Sequence, residues 1–133
     1  MIADATENTV SRGPYSDVIR ERWRRPRFRG DLAEATRTAE DVNPLCGDRV
    51  RLQLAIDGDT VTAARFGGDA CAICTASADT VAELVTGATV SAARALKPAD
   101  VLAILQANIR PTRMRCLTLP LSVLAMALTG DAR

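Results

Sequence analysis

The chain contains no histidine. That absence removes imidazole both as a metal ligand and as a general base near neutral pH, so thiolates and carboxylates must do any such work. Aromatic residues are scarce, 3% against 47% apolar, which leaves Ala, Val, Leu and Ile to build the core and suits helices packed closely on a small sheet. Seventeen cations against sixteen acids leave a formal charge of +1. No global field therefore argues for nucleic acid or a membrane surface, and no helix-turn-helix, RNA-binding strand motif or zinc-finger pattern accompanies the arginines. Met1 to Gly13 is polar and lacks the apolar stretch of a secretory signal. We read 1–13 as a flexible N-terminal segment and the chain as cytoplasmic, so that its four cysteines are expected as reduced thiols. At this length, 14–133 should form a single domain around one core.

What is present is a constellation of thiols. Asn43-Pro44-Leu45-Cys46-Gly47-Asp48 reads as a turn opening into a strand, because Pro44 restricts its neighbourhood and Gly47 permits φ > 0. A bend at Gly47 would let Cys46 and Asp48 converge on one ion. Cys71 and Cys116 follow at long range, and three thiols with a carboxylate are the ligand types of a metal or cluster site. The plainer reading of the stretch is a turn with a buried thiol.

Taken in order, Tyr15, Val18, Ile19 and Trp23 stand at helical spacing, with Ser16 or Asp17 near the start and Pro26 at the stop. Arg20, Arg22, Arg24, Arg25, Arg27 and Arg29 form a basic run beside Trp23 and Phe28. It is either a solvated helix face or a docking surface for an acidic partner. Residues 33–42 suggest an edge strand. Val50, Leu52, Leu54 and Ile56 alternate with polar positions, Asp57-Gly58 signals a hairpin, and Thr60 to Phe66 returns as the partner strand. Gly67-Gly68-Asp69-Ala70 then reads as a flexible loop.

That loop delivers Cys71 to the start of a helix with inner face Ile73, Ser77, Val81 and Leu84, stopped by Gly87. A helix N-terminus suits a ligand thiolate. Cys74 completes a Cys-Ala-Ile-Cys sequence, which is either a redox pair of the thioredoxin-like kind or a metal ligand beside a small buried thiol. The preceding hairpin argues against the thioredoxin-like fold. Short helices are expected over 89–96 and 98–106, the second opening on Pro98. From Leu117 to Leu128 the chain is uncharged and apolar but too short to span a bilayer, so it reads as a core helix. Pro120 is best tolerated in a first turn, which puts the helix start near Thr118 and Cys116 at its entrance.

With these residues in place, the chain resembles the U-type iron-sulfur cluster assembly proteins (IscU, SufU and the N-terminal domain of NifU). The likeness runs through Tyr15, Ile19, Pro26-Arg27 and Gly30, then Asn43-Pro44-x-Cys46-Gly47-Asp48, then Phe66 with Cys71 and Ala76-Ser77, and finally Arg113-x-x-Cys116. The resemblance implies an α+β fold, a three-stranded antiparallel sheet with helices packed on one face. It also implies a surface site of Cys46, Asp48, Cys71 and Cys116 that holds zinc or a nascent two-iron cluster, with Arg113 as a nearby modulator.

By the same resemblance sulfur arrives as a persulfide from a cysteine desulfurase, and a cluster passes on to a downstream scaffold or apo-proteins. A single oxygen ligand, Asp48, should keep a cluster labile. The alternatives are a zinc-dependent sulfurtransferase that accepts persulfide sulfur from a SufS-type desulfurase on Cys46, and a zinc-stabilised binding module.

Several positions depart from the branches of the family. Arg115 stands where the Isc branch has histidine, and Ile109-Arg110-Pro111-Thr112-Arg113 stands where that branch has its Leu-Pro-Pro-Val-Lys chaperone site. Arg113 resembles the SufU branch, whose insertion before the last cysteine is missing here. Ala70 replaces the usual glycine before the second cysteine. Cys74 replaces a serine and could supply a fourth thiolate in place of Asp48.

Overall fold

The computed structural model describes residues 16–129; Tyr15 and the 1–13 segment lie outside them. Helix α1 covers Asp17–Arg24, capped by Ser16, whose hydroxyl accepts from the Ile19 amide at 3.1 Å and donates to the Leu105 carbonyl at 2.6 Å. One side chain thus both satisfies an orphan amide and ties the helix to a remote segment.

Strands β1 (Arg37–Asn43), β2 (Asp48–Asp57) and β3 (Thr60–Asp69) form an antiparallel sheet in that order. The edge strand expected over 33–42 begins later, because the chain turns at Leu32 to Ala35 first. Val50, Leu52 and Leu54 are buried as their alternation requires, together with Val61, Ala64 and Phe66 of β3. Gly58 takes φ 64 in the β2–β3 turn.

Gly67 and Gly68 are not loop but ladder, paired with Arg51 and Val50. They can be because neither carries a Cβ. A methyl at Gly68 would stand 2.1 Å from the Arg49 carbonyl oxygen, and one at Gly67 would stand 2.7 Å from a guanidinium nitrogen of Arg51. The pairing carries β3 straight to the site.

Helix α2 (Ala72–Val85) follows and packs with α5 (Met114–Thr129) on one face of the sheet. From Ile73 to Ala82 it is buried on every side, so it is the central helix rather than an amphipathic one with the single face Ile73, Ser77, Val81 and Leu84. Val85, not Leu84, is its last buried residue. Helices α3 (Val90–Arg94) and α4 (Pro98–Leu105) close the bundle, and a 3₁₀ turn over Pro111–Arg113 runs into α5.

Helix α5 therefore starts at Met114, not near Thr118, and Pro120 is inside it. Proline there removes the helical bond to the Cys116 carbonyl. Burial of Leu117, Leu119 and Pro120 offsets that loss, and the Ser77 hydroxyl donates to the Leu117 carbonyl at 2.6 Å. No helix among the described residues is long and apolar enough to cross a membrane.

The basic run is largely used inside the molecule. Arg22 is 13% exposed and reaches from α1 to fully buried Asp79 at 2.8 Å and to Glu83 at 2.5 Å. Asp79 also accepts from the Phe28 amide at 2.7 Å. Arg25 pairs with Glu21 and Arg27 with Glu83, and the Arg29 guanidinium lies 5.5 Å from the Phe66 ring centre. Trp23 stays half exposed.

The Arg22 hydrogen bond holds the Glu83 carboxyl below the usual carboxylate range. A carboxylate whose folded pKa is depressed contributes stability above its unfolded value, about 4.3, that is lost as pH falls through the folded value. Urea midpoints of the metal-free protein should accordingly fall below pH 5, and Glu83→Gln should flatten that fall. Identical profiles for the two proteins would mean that the pair adds nothing to stability.

Candidate metal centre

Each of the four residues comes to one end of the sheet from a different element. Asn43 is buried at the end of β1, and its carbonyl receives the amides of Cys46 and Gly47 at 3.3 and 2.8 Å. Its side-chain oxygen accepts from the Leu45 amide at 3.1 Å. Gly47 takes φ 78, a conformation glycine adopts without penalty, and the bend turns Cys46 back over Asp48, the first residue of β2. The Cys46 thiol lies 3.1 Å from Asp48 Oδ2. Leu45, at the tip, is 81% exposed.

Asp48 is 3% exposed and is the centre of the arrangement. Its Oδ1 accepts from the Cys71 amide at 2.9 Å, while its Oδ2 faces the Cys71 thiol at 3.7 Å. One oxygen is thereby committed to the backbone and the other to the thiols, which orients the carboxylate as an outer hydrogen bond orients a metal ligand. Cys71 is the N-cap of α2, half-buried, and its sulfur accepts from the Cys74 amide at 3.5 Å. The Thr75 hydroxyl donates to the Ala70 carbonyl at 3.2 Å and fixes the approach.

Cys116 arrives in the first turn of α5, 3% exposed. One ligand atom each from Cys46, Asp48 and Cys116 lies within 4.8 Å of the others. Tetrahedral zinc with bonds of about 2.3 Å to sulfur needs ligand atoms somewhat under 4 Å apart, so this donor set fits one ion or one edge of a small cluster with little movement. Cys71, the fourth expected ligand, stands outside that mutually close group and borders it through its thiol, 3.7 Å from Asp48 Oδ2. All four cysteines are free thiols.

The Arg113 guanidinium donates to Cys71 at 3.6 Å. Burial pushes the Cys116 thiol up to about 12, against the pull of an Arg113 hydrogen bond and with the charge of Cys71 adding to the rise. Cys74 is fully buried beneath Cys71. Burial, and after it the charges of Asp48, Cys71, Cys116 and Cys46, push its thiol well above the ordinary range.

Two residues position the site in ways the motifs did not reveal, although Gly68 stood in the expected loop and Ser77 in the Ala76-Ser77 match. Gly68 lets the β2–β3 ladder run to its end, so that Asp48 and Cys71 meet; the paired glycines before Cys71 were the available sign. Ser77 joins α2 to α5 one residue past Cys116.

The model of the NifU-like N terminal domain family matches residues 14–130. Zinc-dependent sulfurtransferase SufU of Bacillus subtilis is 38% identical over 73 residues, 55% of this chain and 49% of that protein. Iron-sulfur cluster assembly scaffold protein IscU of Thermotoga maritima is 37% identical over 73 residues, covering 55% and 51%. The chain thus spans about half the length of these two relatives.

Among solved structures, one described as a scaffold protein for the SUF system from Fervidobacterium islandicum superimposes with a TM-score of 0.75 at 27% identity, covering 86% of this chain and 96% of that one. A NifU-like N-terminal protein from Brucella abortus shares the fold with a TM-score of 0.69 at 22% identity, covering 89% and 95%. The sheet, the helices on one face and the family match together place the chain: it belongs to the NifU-like N-terminal domain family of iron-sulfur cluster assembly proteins.

Proposed function

We propose that the protein is a scaffold or carrier that assembles a labile iron-sulfur cluster on Cys46, Asp48, Cys71 and Cys116, with sulfur from a cysteine desulfurase. The observation that carries this reading is the convergence of three thiols on one oriented, buried carboxylate at the end of the sheet. Three thiolates suit ferric iron-sulfide, and the oxygen donor makes one corner of the site weaker, as release to a downstream scaffold or apo-protein requires.

Zinc-dependent sulfur transfer on the same residues is a second reading, favoured by the exposure of Cys46 and by the identity to SufU. Cys46 is the most accessible thiol of the set and sits on a turn. Its thiolate would attack the sulfane sulfur of the desulfurase persulfide, forming a Cys46 persulfide and releasing the desulfurase thiolate. Zinc, when bound, would hold the remaining thiolates deprotonated and in place. Arg113 would steady the Cys71 charge.

Anaerobic protein reconstituted with ferrous iron and sulfide separates the two. An iron-sulfide chromophore with stoichiometric iron is expected for a scaffold. Tight zinc that iron does not displace, with desulfurase turnover that rises on adding this protein and returns to baseline for Cys46→Ser, would replace that reading with sulfur transfer.

A further inference from the structure

Cys74 has no part in either reading, yet it is placed for chemistry. Cys71 is the N-cap of α2 and Cys74 is the third helical residue after it, its amide bonded to the Cys71 sulfur. Positions three apart share a helix face, and Cβ atoms tilt toward the N-terminus, so the Cys74 side chain leans back toward Cys71. Helix geometry puts the two Cα atoms about 5 Å apart, within the range that a disulfide bridges without moving the backbone. The outer thiol is half-buried and reachable, and the inner one is sealed from solvent. Of this pair only Cys71 can meet a sulfur atom, whether from the donor directly or passed on from exposed Cys46, and Cys74 meets only what Cys71 carries.

We propose that Cys71 and Cys74 act as a dithiol that reduces persulfide sulfur to sulfide within the site, an activity that rests on the reading that sulfur reaches this protein as a persulfide. In the first step the Cys71 sulfur takes the sulfane atom from a donor persulfide, and the donor leaves as its thiol. In the second the Cys74 sulfur attacks the Cys71 sulfur as its proton passes to the departing sulfane sulfur. The Cys71–Cys74 bond forms, the bond from Cys71 to the sulfane sulfur breaks, and the electron pair and the Cys74 proton leave with that sulfur as hydrogen sulfide. The sulfane sulfur gains two electrons and the two cysteines lose them, so no outside reductant enters the step. A small dithiol restores the pair for the next turn.

Two consequences follow from the positions. Sulfide is produced beside Cys46, Asp48 and Cys116, where a cluster would be built. The oxidised pair also withdraws Cys71 from the ligand set, so that metal and disulfide exclude one another.

The test uses metal-free, reduced full-length protein under anaerobic conditions with glutathione persulfide as donor, which keeps it independent of any desulfurase. The readouts are released sulfide and the tryptic peptide 66–94, which contains Cys71 and Cys74 but neither Cys46 nor Cys116. Wild type should release about one equivalent of sulfide per chain, and its peptide should become lighter by two hydrogen atoms. Cys74→Ser should cut sulfide at least tenfold and hold an extra sulfur atom on Cys71. Equal sulfide from Cys74→Ser would overturn the proposal, as would a wild-type peptide that keeps the sulfane atom or a disulfide that maps to Cys46 or Cys116.

The wild-type peptide map decides the matter even where a variant fails to fold, and Cys74→Ala provides a second variant. A desulfurase that fails to sulfurate the protein would count against the proposed function alone, and a persulfide that survives on wild type would count against the dithiol alone.

Discussion

Cys71→Ser should weaken zinc binding by about 100-fold or more while leaving the metal-free fold intact. Structural zinc sites bind with roughly 10–16 kcal/mol shared among four ligands, so one ligand accounts for about 3 kcal/mol, or two orders of magnitude. The substitution separates this effect from folding. Cys71 caps α2 by accepting the Cys74 amide, and serine is among the preferred capping residues. The backbone bond from Cys71 to Asp48 Oδ1 does not depend on the side chain. Competition against a chromophoric chelator measures the affinity, and a thermal melt of the metal-free protein measures the fold. Unchanged affinity would remove Cys71 from the ligand set, and a large drop in the metal-free melting temperature would show a mainly structural residue.

Gly68→Ala should have the opposite signature, a loss of the fold that takes the site with it. The added methyl would lie 2.1 Å from the Arg49 carbonyl oxygen, 2.9 Å from its carbon and 3.1 Å from the Val50 Cα, and φ is +122. These obstacles are backbone in a paired strand, so no side chain can swing aside. Either the ladder opens or the end of β3 shifts. Either response also breaks the Arg29 bond to the Gly68 carbonyl, 2.5 Å long, and separates Cys71 from Asp48.

We expect about 3 kcal/mol or more of destabilisation, seen as a melting temperature lower by roughly 10 °C, with metal binding weakened in parallel. Gly58→Ala is the control. That residue also has positive φ, but its added methyl meets nothing within 4 Å, so it should lose only about 1 kcal/mol. Equal losses at the two positions would mean that backbone conformation alone matters and that the close approach at Gly68 does not.

Both variants show how the site divides between local and tertiary causes. The ligand types, the bend at Gly47, the β2–β3 hairpin and the cap of α2 were legible from residue chemistry within a few positions of each other. Period-two alternation and a glycine after a cysteine need no knowledge of the rest of the chain. The resemblance carried by Asn43-Pro44-x-Cys46-Gly47-Asp48 and Arg113-x-x-Cys116 supplied the fold class that the described residues display.

Where local reasoning went astray, a distant partner was responsible. Gly67-Gly68 has the composition of a loop, and only the close approach of Arg49 and Arg51 makes it a strand. Pro120 argues for a helix start near Thr118, and only packing of α5 on the sheet lets the helix begin at Met114. Arg22 reads as part of a basic surface until Asp79 and Glu83, some sixty residues on, take its guanidinium.

The amino-acid sequence by itself determined which atoms could bind a metal or carry sulfur, because donor chemistry belongs to the side chain. Tertiary structure alone decided that Asp48 gives one oxygen to the Cys71 amide and the other to the thiols, and that Cys74 lies sealed beneath Cys71. Those arrangements depend on elements twenty to seventy residues apart meeting at one end of a sheet, and no short-range pattern encodes that meeting.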